Sequence, residues 1–539
     1  MNKYVCIMGL FVSLNGCYKS DFDTLSKGNS LAAPINRIIR LPLDEMPKLS
    51  NDADKAFDDE KRSSQYGKEL ALSLDQCRAW GLRNNLSLKV ARLAPDIEQE
   101  NIKQLEGAFE PMFFTRMGFT KTDVPTSKTL DASQREYFNS SLGVQMPLLT
   151  GGDLSFSLPM SREKTDNLFS TLNPAYKTNA RLSLRQPLLK DAGAKSAIYG
   201  ITVANLSLKK SMANVKQEVI SILTQIDTAY WSLYGWEQLL AVRQQEYDLA
   251  AAQYEQAKRK VDIDVIPQIE IIRAQSEMAS RKQRIIEAKG TVAIKARHLK
   301  RLLNQRGLSV SSDTTLSLQT HPNGSHYEID TEKLLKLAQK ERPSLLRLNI
   351  ELAESQLQQN LAKDRLKPDL SLSYTYTAYG LGSSAGGAYD VLETSNFGDH
   401  LIGLNFELPL GNQINKSKHR SAKIAQLTVE TQRQQLSLQI ETEVLDAVAN
   451  LETKWQSLQA SGEATILKLR QMESEARRFD LGLQSSTELL SAQTQYAHAR
   501  SAEVTALANY QIAQINLALA SGTLLAAAQI ELDENGEDR

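Results

Sequence analysis

The 539-residue chain is predicted to be an α+β membrane protein in which alternating strands form a barrel wall and very long coiled-coil helices continue from it. Three observations predict this. Two helical stretches of about 68 residues each would reach about 100 Å, longer than any compact globular domain contains. Two groups of strand segments alternate apolar with small polar residues. The chain also opens with a secretory signal, so it is built for the cell envelope.

The signal occupies residues 1–16, with a basic Lys3 and the apolar run Tyr4 to Val12. Its end, Leu14-Asn15-Gly16-Cys17, resembles a bacterial lipobox, which makes Cys17 the acylated (palmitate-bearing) first residue of the mature chain; the alternative is cleavage nearby, with Cys17 a spare thiol. Several acyl chains on one Cys would anchor firmly, at about 0.8 kcal/mol per buried CH₂. Tyr18 stands where an Asp would be the usual inner-membrane retention signal. Residues 17–71 are polar, with an acidic cluster at Asp52, Asp54, Asp58, Asp59 and Glu60, and read as a tether with little structure of its own.

From residue 72 the elements run through one cycle and then a second, giving two internal repeats. Repeat 1 (72–305) holds a short helix capped by Ser73 with Gln76 and kinked at Pro95. Strands follow over 112–190, then a long helix from about Ala194 to Val261 and a shorter one from Gln268 to Asn304. A linker (306–328) leads to repeat 2 (329–522), with a short helix stopped by Pro368, strands over 369–410, a long helix (415–481) and a shorter one (486–520). An acidic tail spans 523–539. Val219, Ile226, Leu233 and Leu240 step by seven, with Ile222, Ala229 and Trp236 three residues on; Val444, Val448, Leu451, Trp455 and Leu458 step by four and three. That is the spacing of a coiled-coil seam.

In the strands, Leu370, Leu372, Tyr374 and Tyr376 alternate with Ser371, Ser373, Thr375 and Thr377, and Leu142, Val144, Met146 and Leu148 face one way. Gly151-Gly152 sits where a hairpin turn belongs. One apolar and one small polar face fit a membrane barrel with a wet lumen, and equally a half-buried soluble sheet; the signal and the tyrosines near strand ends favour the barrel. One chain has too few strands to close it, and open edges cannot face lipid, so several chains must share one barrel.

Composition excludes other classes. Lys and Arg number 63 against 63 acidic residues, so no polyanion-binding field exists and no nucleic-acid partner is expected. Three cysteines rule out a disulfide scaffold. HExxH, P-loop and paired-Cys motifs are absent, so no enzyme, catalytic residue, cofactor or metal is expected. His321 and His326 read as surface-loop residues.

Local motifs then point one way. Gly482-Leu483, Glu488-Leu489-Leu490 and Ala492-Gln493 resemble the helix-hairpin tip of the TolC-like outer membrane efflux protein family. Their first-half counterpart is Asp264-Val265-Ile266-Pro267-Gln268-Ile269-Glu270 with Ala274-Gln275, where Asp264 replaces the usual Gly. Gln186-Pro187-Leu188-Leu189 and Leu408-Pro409-Leu410-Gly411 resemble the family's strand-to-helix corners, and Asn516 to Leu524 its last helix end. The chain is identified by this resemblance, over about 72–520, as a member of that family, of the lipoprotein type that the lipobox at Cys17 implies.

The resemblance implies a homotrimer: an outer-membrane β-barrel continued by an α-helical tunnel through the periplasm. It would serve as the exit duct of a tripartite efflux or type I secretion system, with a periplasmic adaptor (membrane fusion) protein and an inner-membrane transporter as partners. The family's acidic constriction falls on Glu270 and Glu488, each of which also reads as a solvated helix charge. The Tyr and Arg of its closed-gate lock fall on Phe479 and Gln484, so gating would rest on packing or on Asp480 and Arg478. The tip residues Val265, Ile266, Pro267, Leu481, Gly482 and Leu483 are expected to contact the adaptor. Members usually carry two strands per half, whereas 112–190 has room for four: either six strands per protomer or an extra hairpin outside the barrel. The rival reading is a lipoprotein coiled-coil spacer without a lumen.

Overall fold

The computed structural model describes residues 69–127, 131–394, 396–481 and 483–530. The signal, Cys17, nearly all of the tether, Gly482 and the acidic end of the tail lie outside them. The chain divides into two compact units: residues 95–210 with 348–432, and residues 69–94, 211–347 and 433–530.

The first unit is built on a six-stranded antiparallel sheet. Its strands are β2 (Met112–Asp123), β3 (Gln134–Pro147), β4 (Asp153–Thr165), β5 (Ala175–Pro187), β7 (Asp369–Gly382) and β8 (Gly398–Glu407). Four strands therefore fill the region before residue 190, all in one sheet ordered β2-β3-β4-β5-β7-β8. Alternation sets two faces. Register places Phe113, Val144, Phe156, Leu182 and Tyr376 side by side on one; Arg116, Ser141, Pro159 and Gly143, Ser157, Arg181, Thr377 lie on the other. The Gly151-Gly152 turn is present: Leu148 N–H donates to Gly152 O, and Gly151 takes the positive φ that glycine tolerates.

An unforeseen helix, α7 (Ala385–Thr394), interrupts 369–410. It packs Ala388 and Leu392 against Ala180 and Ala378 on the apolar face. A Cβ on Gly380 would lie 2.1 Å from the Ala388 carbonyl oxygen, so the contact requires glycine. A ten-residue helix with two glycines near its start has too weak a periodicity to stand out inside a strand pattern.

The second unit is helical. Its helices are α1 (Leu74–Asn84), the parts it holds of α2 (Leu86–Gly107), α3 (Tyr199–Asp262), α6 (Pro343–Asp364) and α8 (Gln413–Asp480), and all of α4 (Ile269–Leu303), α5 (Thr331–Glu341) and α9 (Ser486–Ala520). Ser73 and Gln76 form the expected capping box. Pro95 is carried inside α2, while the break falls at Asn85 instead. There the side chain caps Ser87 and Leu88 N–H groups and donates to Leu302 O. Two strands, β1 (Glu69–Leu72) and β6 (Thr315–Leu318), pair in parallel. They lie at the end of the expected tether and inside the expected linker; four-residue strands joined across the chain carry no local signal.

Most seam positions are core, while Trp236, Leu240, Val448, Trp455 and Leu458 are half-buried. Val219, Ile222, Ile226, Ala229 and Leu233 are buried with Leu72, Cys77, Leu299 and Leu303, and Val444 and Leu451 anchor two smaller clusters. Burial pushes the Cys77 thiol up to about 12, so it is inert at neutral pH. Tyr230 accepts from Thr320 N–H at 2.9 Å and donates to Leu72 O at 3.3 Å, tying β1 and the second residue after β6 to α3. Asp227, fully buried, is held by Arg78 through two bonds of 2.9 and 2.8 Å. Burial nonetheless raises the Asp227 pKa, against the pull of Arg78.

Candidate functional site at the helix tips

Both hairpins of the helical unit turn at one end, where α3 gives way to α4 and α8 to α9. A cleft of about 280 Å³ opens there, lined by Ala250, Gln253, Gln256, Ile266, Pro267, Glu270, Arg273, Phe479, Gln484 and Ser485 among others. The turn after α3 closes with Asp264 N–H to Val261 O and Val265 N–H to Lys260 O, both 2.9 Å. Asp264 adopts φ 55°, a left-handed position that glycine takes without strain and that a short polar residue can also adopt. After α8, Leu483 N–H reaches Arg478 O at 2.9 Å, the same six-to-one closure.

The sequence-expected residues fall together here. Val265, Leu481 and Leu483 are well exposed and Pro267 is exposed, while Ile266 is half-buried against the cleft. Glu270, in the first turn of α4, pairs with Arg273 at 2.6 Å and accepts from the Ser486 hydroxyl at 2.6 Å, linking the two hairpins. Glu488 is exposed and completes a capping box on α9: Ser485 N–H donates to its carboxylate at 3.2 Å, and Ser485 Oγ accepts from Glu488 N–H. Both carboxylates thus complement a helix N-terminus. Phe479 lies under the Lys260 ammonium, 4.2 Å from ring centre to Nζ. Asp480 accepts from Gln256 at 3.4 Å. Arg273, Lys260 and Ser486 escaped the sequence reading. Arg273 was findable as the i+3 partner of Glu270; the other two meet the site only across the hairpin.

His326 sits 3.2 Å from Glu452 and against Trp455, so it is an ordinary surface partner. Among the described residues no group of three His, Cys, Asp or Glu could hold a metal ion, and no described helix is long and apolar enough to cross a membrane.

Residues 334–523 match the outer membrane efflux protein family. Outer membrane protein TolC of Escherichia coli K12 is 28% identical over 199 residues, 35% of this chain and 40% of that protein. The Salmonella enteritidis protein of the same name is 28% identical over 214 residues, 38% and 42%. The match thus spans about two-fifths of the length of these curated relatives. Among solved structures, the Campylobacter jejuni CmeC outer membrane channel superposes with TM-score 0.63 at 16% identity, covering 86% of this chain and 87% of that one. The open-state Neisseria gonorrhoeae MtrE outer membrane channel gives 0.58 at 15% identity, covering 92% and 100%. Residues 334–523 thus match the outer membrane efflux protein family, and the chain carries the fold of those channels over most of its length.

Proposed function

We propose that this chain is one protomer of a trimeric outer-membrane exit duct, serving a tripartite efflux or type I secretion system. The observation that carries this reading is the amphipathic six-stranded sheet, apolar on one face and polar on the other, in a chain whose remainder is paired long helices. A lumenless spacer has no use for such a sheet. Three copies place the apolar face against outer-membrane lipid and close the wall that one copy leaves open. Cys17 adds a lipid anchor, the two repeats of each chain supply the tunnel, and the tips receive a periplasmic adaptor joined to an inner-membrane transporter. Substrate choice lies with the transporter.

At the tips a trimer turns each acidic residue into a ring of three, which favours cations. Glu270 is already offset by Arg273, so Glu488 contributes most of the selectivity. The test is planar-bilayer conductance of detergent-purified protein, with mobility on an unboiled gel read alongside. A trimeric band with discrete, cation-biased steps is expected; a monomeric, non-conducting, salt-soluble protein would sink the duct. Glu488→Gln keeps an amide in the capping box while removing the charge. It should lower cation preference without loosening α9, and unchanged ion selectivity would remove the ring from the proposal.

A further inference from the structure

Among the described residues the sheet has two unpaired edges, β2 and β8. Every pairing between them is antiparallel and the strands are even in number, so β2 and β8 run in opposite directions. The β8 edge of one copy can therefore take the β2 edge of another without breaking the alternation. Both edges carry the apolar face outward: Phe113, Met117 and Phe119 on β2, Ile402, Leu404 and Phe406 on β8, all exposed. The other face of the β2–β3 hairpin carries Arg116, Gly118, Thr120, Asn139 and Ser141, so it is mainly polar, with Met112, Phe114 and Tyr137 the exceptions. A hairpin standing in water would have no use for an apolar face continuous with Leu154, Phe156 and Leu158 of β4.

The unpaired backbone groups are matched as well. Val124 N–H donates to Ser133 O, and Tyr379 N–H donates to Phe397 O. By the two-residue period of antiparallel ladders, polar-face residues of β2 and β8 bond inward. The apolar-face residues then hold the free N–H and C=O groups on both edges, so a pairing that aligns faces also aligns donors with acceptors.

Register decides how far one copy slides on the next. Met112 faces Gln145, and the ladder continues through Ser155, Ser183 and Thr375 to Leu401. Meeting the next β2 at that level would pair only residues 398–401 and leave the strands untilted. Sliding on to Glu407, the last residue of β8, pairs the whole strand. The slide is about 20 Å along the strands for about 29 Å across six of them, a tilt of about 35°. Membrane barrels tilt by about 35–45°. The slide is an even number of residues, so the faces stay matched, with Phe113 opposite Phe406 and Met117 opposite Ile402.

We infer that β2 of one copy pairs with β8 of the next in the register Met112 to Glu407, so that three copies close an eighteen-stranded barrel with the β2–β3 hairpin in its wall. The inference rests on the trimeric reading above. The barrel is about 34 Å across between strand axes, against about 22 Å if the hairpin lay outside and twelve strands closed it.

Paired cysteines test it. Phe114 and Asn405 fall opposite each other on the polar face as a closely spaced, non-hydrogen-bonded pair, as do Thr120 and Asp399. Phe114→Cys with Asn405→Cys, and separately Thr120→Cys with Asp399→Cys, should give covalent dimers and trimers on a boiled, non-reducing gel after mild oxidation, lost on reduction. Ser155→Cys with Asn405→Cys is the counter-probe, since a hairpin outside the wall would bring β4 to β8. Cross-linking by that pair alone leaves the trimer standing and overturns the eighteen-stranded wall. A protein that is trimeric by native size yet cross-links with no pair overturns it too. A monomer in every variant, and in the parent protein, brings down the trimeric reading itself.

Discussion

The two compact units treat apolar side chains in opposite ways. The helical unit hides those of its seam: Leu223, Ile226, Leu233, Leu299 and Leu303 are 0% exposed within one chain, although Ile286, Leu438 and Leu467 stay exposed. The sheet unit displays its own, with Met117 75% and Ile402 72% exposed. The seam residues thus find their apolar surroundings within the chain, and the exposed face of the sheet has to find them outside it. The hydrophobic effect drives the first arrangement in water; the second is stable only where lipid or another copy supplies the missing surface.

The largest expected effect breaks the helical side of this contrast. Arg78→Met leaves the buried Asp227 carboxylate without its two charge-assisted bonds, at a cost of about 3–5 kcal/mol. Denaturant unfolding of the detergent-purified protein, followed by circular dichroism, should show the midpoint fall; a loss below about 1 kcal/mol would mean that Asp227 finds water or takes a proton. Adding Asp227→Leu should recover part of the loss.

On the sheet side, Leu142→Arg puts a charge midway along β3 on the apolar face. In lipid this costs about 2–4 kcal/mol near the bilayer midplane, whereas at a water-facing site it would be nearly neutral. Refolding yield into vesicles, compared with the parent protein, reads the difference. Equal yields would show that this face does not meet lipid.

A smaller effect is pH-dependent. Burial pushes Glu237 up to about 7 from its ordinary 4.5. The folded state then holds this proton more tightly than the unfolded chain. Its stabilising contribution is full below pH 4.5 and lost as pH rises through 7. Glu237→Gln should leave the unfolding midpoint unchanged near pH 4.5 and raise it at pH 8, on the order of 1 kcal/mol after discounting for solvent screening. A midpoint difference independent of pH would exclude the mechanism.

The smallest sits at the tip. Asp264→Gly frees the left-handed residue from its Cβ and should stabilise the turn by a few tenths to about 1 kcal/mol. Slower hydrogen exchange at the end of α3 is the readout. Faster exchange would show that the Asp side chain itself holds the turn.

Much of this was legible in the sequence because it is local and periodic. Val219 to Leu233 announced a buried seam by spacing alone, Ser73 with Gln76 announced a cap, and Gly151-Gly152 announced a turn. The tip site was legible as residues but not as partnerships. Glu270 and Glu488 stood out as acidic, yet Ser486 reaching Glu270 and Lys260 covering Phe479 depend on which helix lies beside which. The parallel pairing of residues 69–72 with 315–318 and the docking of α7 on Gly380 were invisible for the same reason.

The sequence by itself determined the kind of each long element, its solvent-averse face and the room for four strands before residue 190, since helix and strand periods are properties of neighbouring residues. Only the tertiary structure decided that those four strands join β7 and β8 in a single sheet with β2 and β8 at its open edges. Strand order and register are relations between distant segments, fixed by backbone hydrogen bonds that every residue can make alike.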